Sequence, residues 1–203
     1  MRRGAEFSIR LDSNELMNSR RGGSEQALAT LACERIRARK RAEILIGGLG
    51  MGFTLRAALA ALGSEARITV AELVPAVLAW ARGPMAEVFG ESLSDPRVGL
   101  READVASLIR ASHSTFDAIL LDVDNGPAGL TREANEGLYG LEGLSAAHAA
   151  LRPGGVLAVW SSGSDVKFTQ RLRQTGFDVE EVRVRPNGAR HVIWIATCAK
   201  RGA

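Results

Sequence analysis

The chain has 203 residues, 46% of them hydrophobic and 24% charged, with a formal net charge of +3. That length suits one domain with a real core, and the composition is that of a globular protein, not a disordered or fibrous one. No apolar run reaches the roughly 18 residues of a membrane span, and the N-terminus "MRRGAEFSIRLDSNELM" has no signal-peptide stretch, so a cytoplasmic location is the expectation.

Residues 1–23 read as extended or irregular, or as a short hairpin: "FSIRL" alternates like a strand and "NSRRGGS" is a loop. Ser24 is placed to cap a helix running to about Arg39, with Ala27, Leu28, Leu31, Ala32 and Ile36 on its apolar face. Lysine occurs only at 40, 167 and 200, and arginine is spread along the chain except in "RIRARKR" (35–41). That run reads as the C-terminal end of the helix, where cations favour the macrodipole, in preference to an RNA contact. Strand and helix then alternate: strand 42–47, helix 54–62 stopped by Gly63, strand 67–72, and a helix from Pro75 that breaks near Gly83-Pro84. Strand 97–102, a short helix from Val105 and strand 116–122 follow. A helix over 134–151 ends at "RPGG", with Leu138, Leu141, Leu144 and Leu151 as its core and His148 packed beside them. Strand 156–162, helix 165–175 and two final strands joined by the Asn-Gly of "RPNGAR" complete the pattern. Alternating units of this kind give a parallel α/β sheet covered by helices on both faces, with an antiparallel last strand. Trp160 ends a strand, and Trp194 reads as core. Cys33 and Cys198 match no metal or redox spacing and read as buried free thiols. The histidines (113, 148 and 191) are scattered, so no metal is expected.

In open α/β sheets ligands bind beyond the carboxyl ends of the strands. The first such end carries "IGGLGMG", whose Gly48, Gly50 and Gly52 permit a tight turn and close approach of backbone to a ligand. A structural loop is the alternative. The second ends at Glu72, whose carboxylate can accept from both hydroxyls of a ribose, or can be a solvated surface group. The third leads to Asp104-Val105, which can meet an adenine amino group and ring or can simply cap the next helix. The fourth ends at Asp122, followed by Asp124 and an Asn-Gly-Pro turn. These two carboxylates either serve chemistry or brace the turn.

This order of features resembles the class I S-adenosylmethionine-dependent methyltransferase-like proteins, and within them the spermidine synthase (polyamine aminopropyltransferase) family. The likeness rests on Gly47 standing where most methyltransferases have an acidic residue, on "SDPRVGL" (94–100), and on "DVDNGP", "GLYGLEGL" and "LRPGGVL"; it covers about 42–160. It implies a Rossmann-like, mostly parallel seven-stranded sheet with an antiparallel last strand. Residues 1–40 would be a short extension and helix, and 41–203 the methyltransferase-like domain. S-adenosylmethionine or its decarboxylated form is implied as donor, held by Gly47, Gly48, Gly50, Gly52, Glu72, Leu73, Asp104, Val105 and Asp122. Asp122 is implied as the base that takes a proton from an attacking amine, with Asp124, Asn125 and Tyr139 toward a small-molecule acceptor. Under this reading no nucleic acid, membrane or metal is expected as a partner.

The likeness weakens on the acceptor side. Asn125 stands where the family has an acidic residue, Leu28 where it has tyrosine, Thr30 where it has glutamate, and Gly143-Leu144 where it has Phe-Tyr, although Glu25 is kept. Only about twenty residues precede the first helix, where the family has a β-domain that closes the site, so a homodimer is the expectation. Three readings follow in order. The first is a spermidine synthase-like transferase whose acceptor is not putrescine. The second is a small-molecule or RNA methyltransferase, and the third a non-catalytic nucleoside-binding protein.

Overall fold

Apolar residues that alternate or run together make strands here, and those spaced by three and four make helices. The computed structural model describes residues 1–4, 6–11, 14–20, 22–123, 126–128 and 137–199. The main sheet contains β4 (Glu43–Gly47), β5 (Arg67–Glu72), β6 (Val98–Glu102), β7 (Phe116–Leu121), β8 (Leu151–Ser161), β9 (Asp178–Val184) and β10 (His191–Thr197). Its order is β6-β5-β4-β7-β8-β10-β9, with β10 antiparallel to both neighbours and the other pairs parallel. A separate three-stranded sheet at the N-terminus is built from β1 (Arg2–Arg3), β2 (Glu6–Leu11) and β3 (Asn14–Asn18).

The helices among the described residues include α1 (Gly23–Arg35), α2 (Phe53–Ala61), α3 (Pro75–Arg82), α4 (Ala86–Phe89), α5 (Val105–Arg110), α6 (Leu141–Ala150) and α7 (Val166–Gln174). One core joins α1, α2, α3 and Phe7 and Ile9 of β2 to one face of the sheet. The other joins α5, α6 and α7 to the opposite face, with Trp194 and Phe168 fully buried in it. The sheet is therefore sealed on both faces, as its apolar central strands require. None of the described helices is long and apolar enough to cross a membrane.

Several boundaries differ from the sequence reading. Helix α1 takes Gly22, not Ser24, at its cap position. The Ser24 hydroxyl instead donates to Glu25 Oε2 at 2.6 Å. The helix stops at Arg35, because Arg39 is drawn away to the carboxylate of Asp117, a charge buried at the start of β7 and also bound by Arg152 at 2.9 Å and by the Glu43 N–H at 2.8 Å. A buried carboxylate needs such partners, so the basic run is only partly a helix end. "LRPGG" belongs to β8 and does not precede it: Leu151 pairs with Phe116, and a register irregularity follows between Phe116 and Ala118. Leu151 therefore fills the core from a strand, and Leu141 is exposed at the start of α6. The "DPRV" motif is structural. Arg97 forks onto Asp95 at 2.8 and 2.9 Å and donates to the Leu59 and Leu62 carbonyls at the end of α2, and its guanidinium pulls the Asp95 carboxyl down to about 2. Cys33 and Cys198 are buried free thiols, and burial pushes both up to about 11. His148 packs edge-on against Phe177, with ring centres 4.9 Å apart.

Candidate functional site

Strand order reverses between β4 and β7, which opens a crevice at their carboxyl ends. Register brings the predicted groups together there: Gly47 pairs with Ala71 on one side and Leu121 on the other, and Glu72 pairs with Glu102. The chain then turns sharply at Gly48, whose φ of 88° lies in the left-handed region. A Cβ on Gly48 would collide with the backbone carbonyl oxygen of Asp122, and one on Gly50 would stand 3.1 Å from Met17 Sδ of β3. Glycine is thus required by both conformation and space at Gly48, and by conformation at Gly50, whose φ of 49° is also left-handed while the Met17 side chain can give way. Gly52, also at positive φ (71°), leads directly into α2.

Glu72 is buried, and its carboxylate bridges two loops. Oε2 accepts from the Leu49 N–H of the glycine loop at 2.9 Å, and Oε1 accepts from the Val74 N–H, also at 2.9 Å. It is therefore not a solvated surface glutamate. Each oxygen keeps acceptor capacity for a further donor. Leu73 beside it is 67% exposed, an apolar side chain left open at the crevice edge. Asp104 caps α5, accepting from the Ala106 N–H at 3.0 Å and the Ser107 N–H at 3.2 Å. Val105 is buried, and Gly47 has room for little more than hydrogen against its methyls.

Asp122 follows β7, and its N–H donates to the Gly47 carbonyl at 3.0 Å. Its Oδ2 accepts from the Thr54 hydroxyl at 2.6 Å. Burial raises the carboxyl, the Thr54 hydrogen bond opposes that, and the negative charge of Glu25 adds to the rise, so the group is pushed up to about 7. Burial penalises the charged form, and a nearby like charge does the same. Trp160 at the end of β8 stacks at a tilt on His191, with ring centres 5.1 Å apart. A Cβ on Gly126 would collide with the carbonyl of Trp160 and the side chain of Ser161.

The structure thus gathers Gly47, Gly48, Gly50, Gly52, Glu72, Leu73, Asp104, Val105 and Asp122 at one edge of the sheet. It does not bring Tyr139 to an open surface. That residue is buried, its ring edge-on to Phe168 at 5.7 Å, so the expected acceptor contact is corrected to a core position. Asp124 and Asn125 lie outside the described residues. The sequence reading missed Thr54 and Met17; the signal for Thr54 was a hydroxyl residue two places past the last loop glycine.

No family model matches the chain. Over 140 residues it is 31% identical to polyamine aminopropyltransferase 2 of Pseudomonas aeruginosa, a match covering 66% of this chain and 38% of that relative. The chain is similar to the polyamine aminopropyltransferases. It spans about two fifths of the length of that relative. The spermidine synthase of Thermotoga maritima superposes with a TM-score of 0.75 at 19% identity, over 94% of this chain and 65% of that one. Human methyltransferase-like protein 13, solved with SAH, superposes with a TM-score of 0.63 at 19% identity, over 87% and 80%. At such identities these two neighbours establish the fold: a Rossmann-like class I methyltransferase architecture.

Proposed function

We propose that the chain is a transferase that binds S-adenosylmethionine or its decarboxylated form at the glycine loop and passes an alkyl group, aminopropyl or methyl, to a small-molecule amine. The observation that carries this reading is the convergence of a cramped glycine turn, the buried carboxylate of Glu72 and the raised carboxyl of Asp122 at one strand edge. The site fits such a donor. The Gly48 and Gly50 turn exposes backbone without side chains beside it, Glu72 offers acceptors to ribose hydroxyls, and Asp104 with Val105 and Leu73 suits an adenine. The donor's sulfonium supplies the activated carbon and the leaving group.

The protein's own task is then alignment and proton removal. An ammonium nitrogen has no lone pair with which to attack, and a base poised near neutrality accepts its proton far better than an ordinary carboxylate. Asp122 meets that description. A methyltransferase acting on a small molecule or RNA would use the same nucleoside site, and the likeness in fold to human methyltransferase-like protein 13 keeps that as the second reading.

Putrescine is a poor fit. Leu28 is sealed in the core, and Thr30 is an exposed neutral hydroxyl on α1, so neither offers a carboxylate to pair with a second ammonium. The deciding experiment is calorimetry with S-adenosylmethionine, decarboxylated S-adenosylmethionine and methylthioadenosine, followed by mass spectrometry of products from a panel of amines. Failure of all three to bind refutes the donor site. Efficient aminopropyl transfer to putrescine refutes the acceptor reading.

A further inference from the structure

We propose that Thr54 is a positioning residue for Asp122: its hydroxyl fixes one carboxylate oxygen and leaves the other for the nitrogen of the acceptor. This rests on the reading of Asp122 as the base. Thr54 is the second residue of α2, 3% exposed, with its hydroxyl 2.6 Å from Asp122 Oδ2 and 3.4 Å from the Glu25 carbonyl oxygen. A hydroxyl has one proton to donate, and the shorter contact takes it. Among the described residues, Asp122 Oδ1 accepts no hydrogen bond. The carboxyl is thereby pinned about its side-chain torsion with a single oxygen available.

The support behind Thr54 is rigid. Gly22, at the cap of α1, lies so close to the Phe53 ring that a Cβ there would overlap it, so the first turns of α1 and α2 are in contact. This brings Glu25, with its Oε2 held by the Ser24 hydroxyl at 2.6 Å, to the same corner. Among the described residues, Glu25 is the titratable group whose charge acts on Asp122; α2 presents Thr54 and the β4–α2 loop presents Gly48. Thr54 therefore works against both burial and Glu25. It favours the ionised carboxylate, the form that can receive a proton.

The test compares Thr54→Val, Thr54→Ser and Asp122→Asn with the parent protein by carboxyl carbon NMR titration, with the pH dependence of turnover measured alongside. Thr54→Val, nearly isosteric but without the donor, is expected to move the Asp122 midpoint upward by about one unit, a tenfold change in proton affinity. Thr54→Ser is expected to restore it, which a purely packing role would not achieve. Adding Thr54→Val to Asp122→Asn should cost turnover nothing further. An unmoved Asp122 midpoint in Thr54→Val overturns the inference, and if that variant fails to fold, a Thr54→Ser midpoint displaced from the parent's does so. If the NMR midpoint moves while the acidic limb of the rate profile stays in place, the positioning role stands and the assignment of Asp122 as base falls.

Discussion

Replacing Glu72 by alanine tests the site and the fold together. The carboxylate accepts two backbone N–H bonds of 2.9 Å, from Leu49 and Val74, in a place only 7% exposed. A hydrogen bond to a charged group contributes about 1.5–3 kcal/mol. Water entering the vacated edge recovers part of two such bonds, so the expected loss of stability is about 2–4 kcal/mol. For a chain of this length that corresponds to a fall in Tm of roughly 4–16 °C. The same change removes the acceptors for two ribose hydroxyls and should weaken methylthioadenosine binding by about 2–4 kcal/mol. Glu72→Gln keeps one carbonyl oxygen but turns an amide N–H₂ toward the other backbone donor, so its losses should be intermediate. Urea unfolding and calorimetry measure the two quantities separately. A Glu72→Ala protein within about 0.5 kcal/mol of the parent would refute the role of Glu72 as a bridge between loops, since that is the scatter of ordinary surface changes. Unaltered methylthioadenosine affinity in the folded variant would refute the ribose site.

Gly48→Ala combines a left-handed φ of 88°, worth about 1–2 kcal/mol for a residue with a Cβ, with a collision against the Asp122 carbonyl. It should lower stability by more than the strain alone and abolish donor binding, whereas Gly63→Ala, with open space around it, should be neutral in the same thermal melt and calorimetry. Asp122→Asn should retain methylthioadenosine binding while turnover falls by roughly 100-fold or more in a product assay. It should also flatten the pH dependence of stability. The native Asp122 carboxyl, at about 7, binds a proton more tightly than the unfolded one at 3.8, so its contribution is full below 3.8 and is lost as pH rises toward 7; denaturation series across that range measure the slope. Asp117→Ala strands Arg39 and Arg152 and leaves the Glu43 N–H unpaired, an expected loss of about 3–5 kcal/mol by urea unfolding with donor affinity unchanged in the folded fraction.

Local pattern alone determined the alternation of strands and helices, the final hairpin and the gathering of Gly48, Glu72, Asp104 and Asp122 at strand ends. Those features depend on period, turn chemistry and the rule that parallel strands point their carboxyl ends one way, all of which are local or generic. The bridging of two loops by Glu72 and the capping by Asp104 were half legible, since a carboxylate after a strand is equally suited to backbone donors and to a ligand. Tertiary structure alone decided the rest. Tyr139 went to the core because Phe168, 29 residues downstream, gives its ring a partner. Arg39 left the helix because Asp117, 78 positions away, must be paired where it is buried. Thr54 meets Asp122 because β4 and β7 lie side by side although 68 residues separate the hydroxyl from the carboxylate. The raised carboxyl of Asp122 has the same origin: its ordinary value belongs to the residue type, but the burial, the hydroxyl and the like charge of Glu25 that shift it come from separate parts of the chain.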